Sequence, residues 1–137
     1  MQSVRQKGTR LELTVREATR QYGVRYRLNA RELPGSPDLS NQTRRWAIFV
    51  HGCFWHGHPN CRKTKGGAGG RIPVSNRTFW ATKIEDNRRR DARKVRGLRA
   101  RGLRVLTLWE CQVLDPRRLD RILSRFFATL SGSAPPR

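Results

Sequence analysis

The sequence predicts one α/β domain, a small mixed β-sheet flanked by helices. The chain has 137 residues, which is enough for a single modest core. Hydrophobic residues make up 36% of it and include four Trp and five Phe, so a packed interior can form in spite of the charge. Helix-like and strand-like segments alternate along the chain, as they do where helices pack on a sheet. We assign residues 1–130 to this domain and residues 131–137 to a flexible C-terminal tail.

The first segment with a clear pattern is a predicted helix over residues 10–22. Its apolar positions fall loosely on one side, and Gly23 stands where a helix would stop. Residues 24–28 then alternate apolar residues with Arg, which is typical of a half-buried strand.

A hairpin is predicted next. The turn formed by residues 33–37, which contain two Pro and one Gly, leads into Asp38, and we expect Asp38 to begin or flank a strand. The polar residues 40–43 mark the hairpin turn, and the apolar run within residues 44–50 suits a central strand covered on both faces. His51 follows this strand directly.

The second half of the chain predicts helix, strand and helix. Residues 77–101 contain no Pro and many Arg, so they indicate a long basic helix that ends at Gly102. Residues 105–109 predict a second central strand. Pro116 opens a last helix, whose wide apolar stripe consists of Leu119, Ile122, Leu123, Phe126, Phe127 and Leu130.

The charge balance favours a polyanionic partner. Thirty Lys and Arg residues against ten Asp and Glu residues give a formal net charge of +20. Such a charge attracts phosphate chains, so nucleic acid is the first partner to consider. The apolar runs are only of strand length and the N-terminus shows no apolar signal-peptide core, so we expect no membrane partner and a cytoplasmic protein.

A metal site is predicted around the glycine-rich residues 52–76. This segment cannot form a regular element and needs a cross-link such as a bound metal to stabilise it. Cys53, His58 and Cys61 are separated by four and two residues, and Cys111 lies at the end of the second predicted central strand. Three thiolates and one imidazole make a closed tetrahedral Zn²⁺ site, whose role would be structural. The alternative is that Cys111 is an ordinary buried thiol and that its match with the loop residues is coincidental.

A second candidate site involves carboxylate and imidazole side chains. Asp38 is one of only ten acidic residues, and Mg²⁺ binds to one or two carboxylates together with a backbone carbonyl, water and substrate phosphate. The alternative is that Asp38 caps its turn. A neutral imidazole of His51 or His56 could activate water against a phosphorus centre, and each could also be a phosphate ligand or a surface residue.

Four blocks of the sequence resemble a known family, the very short patch repair endonucleases. They occur in the family's order and at closely similar spacing: Leu33–Asp38, Phe49–His58, Phe79–Ile84 with Asn87 and Asp91, and Val105–Cys111. The resemblance covers nearly the whole chain. It implies a restriction-endonuclease-like core and a bacterial enzyme that nicks the T-bearing strand of a T:G mismatch formed by deamination of 5-methylcytosine.

The resemblance also implies roles for individual residues. Asp38 and the backbone carbonyl of Val50 would hold catalytic Mg²⁺, His56 would act as the general base, and Asp91 would support His56. His51 and Glu12 match two further active-site positions. The structural zinc ligands of the family match the four residues named above: Cys53, His58, Cys61 and Cys111.

Other residues resemble the family's contacts with DNA. Phe54, Trp55 and Trp80 are similar to rings that wedge between base pairs beside the mismatch, although such rings also serve as satellite core packing. Lys83 and Asn87 are similar to groove-side contacts to the T:G pair. The implied partner is double-stranded DNA with a T:G mismatch, bound by a monomer, and we further expect contacts with mismatch-repair or repair-synthesis proteins.

Two other functions stay open on the sequence. A non-catalytic, zinc-bearing nucleic-acid-binding module would also suit the charge, the aromatic residues and the Cys/His set. A related Mg²⁺-dependent nuclease of different specificity would keep the fold and the metal chemistry. A pure binding module gains nothing from carboxylates near a polyanion, so Asp38 and Asp91, together with His56, favour an enzyme.

Overall fold

The computed structural model describes the backbone of residues 2–53, 58 and 77–133 and the side chains of residues 10–53, 58 and 78–130. Helices and strands follow one another within these ranges. In chain order they are α1 (Gln2–Arg20), β1 (Arg27–Leu28), β2 (Leu39–Asn41), β3 (Trp46–His51), α2 (Arg77–Ala100), β4 (Arg104–Trp109), α3 (Glu110–Val113) and α4 (Pro116–Ser133). None of the described helices combines the length and the apolar character that crossing a bilayer requires.

The strands form one mixed sheet in the order β1-β2-β3-β4. β2 pairs antiparallel with both β1 and β3, whereas β3 and β4 run parallel. The predicted mixed sheet and hairpin are therefore confirmed. The expectation that β4 is a central strand is wrong for the part of the chain that is described, because β4 ends the strand order and is less buried than β3.

β3 supplies both hydrophobic cores because its side chains alternate between the two faces of the sheet. Trp46 and Ile48 pack into the larger core, which also holds apolar residues of α1, α3 and α4. Ala47 and Phe49 pack into a smaller core with Leu98 of α2. The predicted arrangement of a small sheet flanked by helices is confirmed, with α2 on one face and the other helices on the opposite face.

The helices differ from the prediction mainly at their ends. α1 begins earlier than residue 10, and the chain turns at Gly23, whose φ of +66° is a conformation that glycine adopts at low cost. α4 begins at Pro116, where Asp115 Oδ1 accepts hydrogen bonds from the backbone N–H groups of Arg117 and Arg118 at 3.2 and 3.3 Å. It continues to Ser133, past the boundary placed at residue 130.

Two short elements also differ. The predicted strand over residues 24–28 is reduced to the two residues of β1. The four-residue helix α3 was not predicted, because a single turn is too short to show a helical period.

The topology brings several chain segments together at one end of the sheet. β3 and β4 are parallel, so their carboxyl ends meet there, and the antiparallel β2 begins at the same end. α2 has 24 residues and is about 36 Å long, whereas a six-residue strand such as β3 spans about 20 Å. Since Leu98 near the end of α2 packs under the sheet, the first turns of α2 extend beyond the strand ends.

Candidate active site and metal centre

Asp38 lies beside the carboxyl end of β3. Its Oδ2 atom accepts a hydrogen bond of 2.7 Å from the backbone N–H of Val50. The regular β2–β3 pairing ends at Leu39 and Ile48, so the carboxylate takes the place of a backbone acceptor just beyond it. In an antiparallel ladder the N–H and C=O of one residue face the same neighbour, which puts the Val50 carbonyl on the Asp38 side of β3. These oxygens are of the type that bind hard divalent cations.

The turn that delivers Asp38 packs directly on α2. Gly35 and Ser36 have φ values of +76° and +46°, which reverse the chain after Pro34. A Cβ atom at Gly35 would lie 2.5 Å from the Lys94 side chain, so glycine is required by both conformation and space. The close approach fixes the start of β2 relative to α2.

His51 and Asp91 form the second feature of this sheet end. His51 Nδ1 lies 3.8 Å from Asp91 Oδ2, and the two side chains are only 7% and 15% exposed. Lys94 Nζ lies 4.0 Å from the other Asp91 oxygen. The prediction that Asp91 supports His56 involves a residue outside the described ranges, and the structure places Asp91 beside His51.

Glu12 lies on α1, the helix that covers the opposite face of the sheet. Its Oε1 atom is 3.5 Å from the Arg16 guanidinium one turn further along, and both side chains are half-buried. Its neighbour Leu11 packs in the larger core, against which Val50 also packs. The structure therefore places Glu12 on the α1 side of the sheet and the His51–Asp91 pair on the α2 side.

Cys53, His58 and Cys111 form a cluster that fits a tetrahedral metal ion. His58 Nδ1 lies 3.6 Å from Cys53 Sγ and 3.5 Å from Cys111 Sγ, and the three ligand atoms all lie within 4.8 Å of one another. Zn–N and Zn–S bonds of about 2.0 and 2.3 Å at a tetrahedral angle separate N and S by about 3.5 Å. These contacts favour a shared metal site over a coincidental match between Cys111 and the loop. Cys61, the fourth predicted ligand, lies outside the described residues.

The surroundings of His58 favour the form that binds metal. Burial, and secondarily the positive charge of Arg118, lower the pKa of His58 below its ordinary value. The neutral imidazole is the metal-binding form. The backbone N–H of His58 donates a hydrogen bond of 3.0 Å to the Cys53 carbonyl, which holds these two residues close together.

Two residues next to the cluster were not singled out from the sequence. The buried Glu110 accepts a hydrogen bond from the backbone N–H of Cys53 at 3.4 Å, so it ties the loop ligand to the end of β4. The Trp109 ring stacks on the His58 ring with centroids 4.2 Å apart. The available signal was their position, since they are the two residues before the predicted metal ligand Cys111.

The predicted DNA contacts of α2 lie along the same side as Asp91. Trp80, Asn87 and Asp91 are spaced by seven and four residues, so they share one helix face, and all three are half-buried. Lys83 is exposed beside them. Phe79 is 58% exposed, and its ring meets the Trp80 ring edge-on at 5.3 Å. Phe54 and Trp55 lie outside the described residues.

Comparison with known proteins decides the family. Residues 1–63 match the sequence profile of the family described as DNA mismatch endonuclease Vsr. The chain is 47% identical over 120 residues to the type II nicking enzyme V.XorIIP of Xanthomonas oryzae pv. oryzae. This match covers 88% of this chain and 83% of the relative. It is 34% identical over 119 residues to the DNA mismatch endonuclease Vsr of Escherichia coli. This match covers 87% of this chain and 72% of the relative. The chain belongs to the Vsr family.

Further similarity extends to other bacteria. The type II nicking enzyme V.NmeAIP of Neisseria meningitidis is 35% identical over 127 residues, with 90% of this chain and 86% of the relative covered. As a Vsr-family member the protein is a DNA mismatch endonuclease, a hydrolase whose substrate is DNA. This confirms the resemblance and the restriction-endonuclease-like α/β fold, and it favours an enzyme over the non-catalytic binding module. Family membership also implies that cleavage uses a metal ion.

Proposed function

We propose that this Vsr-family enzyme nicks the T-bearing strand at T:G mismatches left by deamination of 5-methylcytosine, and that Mg²⁺ serves the cleavage step. The observation that carries the proposal is the hydrogen bond between Asp38 and the Val50 N–H, which holds a carboxylate at the carboxyl end of the parallel strand pair. A carboxylate costs affinity for DNA, so its fixed place in a chain of charge +20 favours a catalytic role.

In this proposal Asp38 and the Val50 carbonyl would hold the catalytic ion. When bound, Mg²⁺ would supply Lewis-acid polarisation of the phosphate and a lowered pKa for the attacking water. His56 would be the general base that accepts the proton of the attacking water. His51, held against Asp91, would face the scissile phosphate. The Glu12 carboxylate would add negative charge from the α1 side of the sheet. The carboxylates add negative charge that favours the cation.

The specificity proposal rests on the outer part of α2. Trp80 lies where α2 extends beyond the sheet, and its ring together with those of Phe54 and Trp55 would enter the base stack at a step weakened by the mismatch. Lys83 and Asn87 follow within two turns, so they would reach the edges of the T:G pair in the groove. Relatives named as a mismatch endonuclease and as nicking enzymes support a single-strand cut.

We propose that the Cys/His cluster is a structural Zn²⁺ site completed by Cys61. A closed set of three thiolates and one imidazole leaves no position for a catalytic water. Nicking one strand requires one active site, which suits a monomer. Since the substrate is chromosomal DNA, we place the enzyme in the bacterial cytoplasm at the nucleoid.

The test uses end-labelled duplexes that differ in a single base pair: T:G, T:A or C:G. We expect a cut in the T-bearing strand of the T:G duplex alone, leaving a 5′-phosphate and a 3′-hydroxyl, and only when Mg²⁺ is supplied. Cleavage of all three duplexes at similar rates would instead favour a related nuclease of different specificity. Cleavage that persists in a chelator would contradict the metal assignment.

A further inference from the structure

The Trp109 indole lies in contact with two imidazoles. The His58 ring stacks on it at 4.2 Å with 9° between the planes, and the His51 ring meets it edge-on at 5.3 Å and 75°. Both geometries are favourable for aromatic pairs. One side chain thus contacts a residue of the metal cluster and a residue of the candidate active site.

The backbone fixes this arrangement. His51 and Trp109 are direct partners in the parallel β3–β4 ladder, so their side chains lie on the same face of the sheet. The backbone N–H of Trp109 donates a hydrogen bond of 3.0 Å to Gln112 Oε1, which holds the end of β4 as the chain turns into α3. The ligands Cys53 and Cys111 each follow two residues after this pair.

Two further contacts restrict the His51 ring. Phe49 lies 5.7 Å away between ring centroids, and Asp91 lies at Nδ1. The His51 side chain is almost fully buried. Trp109 therefore opposes a change in the orientation of the His51 ring, and the stack with His58 helps to hold Trp109 in place.

We propose that Trp109 is a positioning residue that ties the orientation of the His51 imidazole to the metal-binding His58. The inference rests on the proposed function in one respect, the place of His51 at the scissile phosphate. In this arrangement the metal cluster does more than hold its loop, because it also fixes the plane against which His51 packs. Loss of the metal would disturb His51 even though His51 is not a ligand.

The direct test is nuclear magnetic resonance of the imidazole groups at constant pH. The chain has three His residues, so protein labelled at histidine Cε1 gives three signals, which His→Gln variants assign. Exchanging the bound metal for the larger Cd²⁺, which keeps the cluster occupied and the domain folded, should shift the signals of both His58 and His51 in the wild-type enzyme. In Trp109→Leu the same exchange should shift His58 and leave His51 unchanged. A wild-type His51 signal that ignores the metal exchange, or an equal shift in both proteins, overturns the proposal.

Steady-state nicking supplies a second measurement. Metal-loaded Trp109→Leu should show kcat lowered by roughly 10- to 100-fold, the effect of a misplaced catalytic group, with KM for the duplex within about twofold of wild type. Trp109→Phe keeps a ring and should recover most of the loss. Equal loss of kcat in both variants, or a change in KM alone, contradicts a positioning role.

The two readouts separate this proposal from the proposed function. If the wild-type enzyme does not nick T:G duplexes, the proposed function fails, while the coupled shifts of His51 and His58 still test Trp109. If Trp109→Leu does not fold or does not keep its metal, Trp109→Met decides. It fills similar space without a ring and should reduce the metal-linked shift of His51, and an unreduced shift overturns the proposal.

Discussion

Asp38 and Val50 are joined by a 2.7 Å hydrogen bond from the backbone N–H of Val50 to the Asp38 carboxylate. The bond lies just past the last regular pair of the β2–β3 ladder, so a side chain continues the pairing where the backbone no longer does. A carboxylate has about four lone-pair directions, and one N–H donor orients the group while leaving acceptor capacity for a cation. The position of this carboxylate is therefore set by the sheet itself.

Asp38→Asn should abolish nicking and leave mismatch binding largely intact. The amide oxygen can still accept the Val50 N–H bond, but the negative charge that binds the cation is lost. We expect nicking to fall on the order of 10³-fold or more, equivalent to several kcal/mol of transition-state stabilisation. Single-turnover nicking and a gel-shift assay on the same duplex measure the two effects.

Asp115→Asn is the matched control for that substitution. It makes the same chemical change at the start of α4, where Asp115 accepts bonds from two backbone N–H groups and Asn serves equally well. Its nicking rate should equal that of wild type. Full activity in Asp38→Asn would remove this carboxylate from the mechanism.

Cys111→Ser should release the structural metal and strongly lower Tm. Structural Zn²⁺ sites contribute on the order of 10 kcal/mol to folding, which exceeds the total stability of many small domains. The metal-to-protein ratio and the thermal unfolding curve are the measurements. Leu114→Ala, at an exposed position just after α3, is the control and should keep both values. Stoichiometric metal in Cys111→Ser would refute the ligand assignment.

Acidification should release the same metal. The pKa of His58 is lowered by burial and by Arg118, so the folded state favours the neutral ring. Its contribution to stability is therefore present above the ordinary value of 6.5 and is lost as the pH falls below it. Dialysis across a range from about pH 8 to about pH 5 should show decreasing metal content. Constant metal content over this range would contradict His58 as a ligand.

Trp80→Ala should reduce the preference for T:G over T:A duplexes. Stacking of a base on an aromatic ring is worth about 1–3 kcal/mol, so the T:G affinity should fall by roughly 10- to 100-fold. Affinity for T:A should change little, because phosphate contacts dominate it. Trp80→Phe keeps a ring and should retain part of the preference. Equal losses on both duplexes would indicate that Trp80 serves packing alone.

Tyr22→Phe should weaken the fold with a defined pH dependence. The Tyr22 hydroxyl donates a hydrogen bond to the Asp120 carboxylate and lies 3.0 Å from the Asp120 backbone carbonyl, which joins the end of α1 to α4. Burial raises the pKa of Tyr22 from 10.0 to about 12, with further contributions from the hydrogen bond to Asp120 and from its negative charge. The folded state thus holds the phenol proton more tightly than the unfolded chain.

The stabilisation from this pair should be complete below pH 10 and lost as the pH rises towards 12. Urea unfolding of wild type and Tyr22→Phe should differ by about 1 kcal/mol or less near neutrality, and the difference should shrink above pH 10. In an Asp120→Asn background the difference should be smaller at every pH. A difference that is independent of pH would contradict the assigned hydrogen bond.

Local sequence patterns predicted much of this protein. The stripe of α4 follows a helical period, the β3 run is apolar throughout, and both patterns arise from neighbours a few residues apart. The spacing of Cys53, His58 and Cys111 predicted a cluster that the structure confirms as a group able to bind metal. The family blocks predicted a membership that the comparisons confirm.

The strand neighbours and the contacts between distant side chains could not be predicted from these local patterns. Periodicity gives the type of a strand but not its neighbours, so the place of β4 at the end of the strand order followed only from the three-dimensional pairing. The contact of Asp91 with His51 depends on how α2 lies across the sheet. The packing of Trp109 against His51 depends on the parallel register of β3 and β4, which no local stretch of residues specifies. The sequence determined the elements and the candidate ligands, and the tertiary structure decided which side chains meet, because contacts between distant segments depend on the packing of the whole chain.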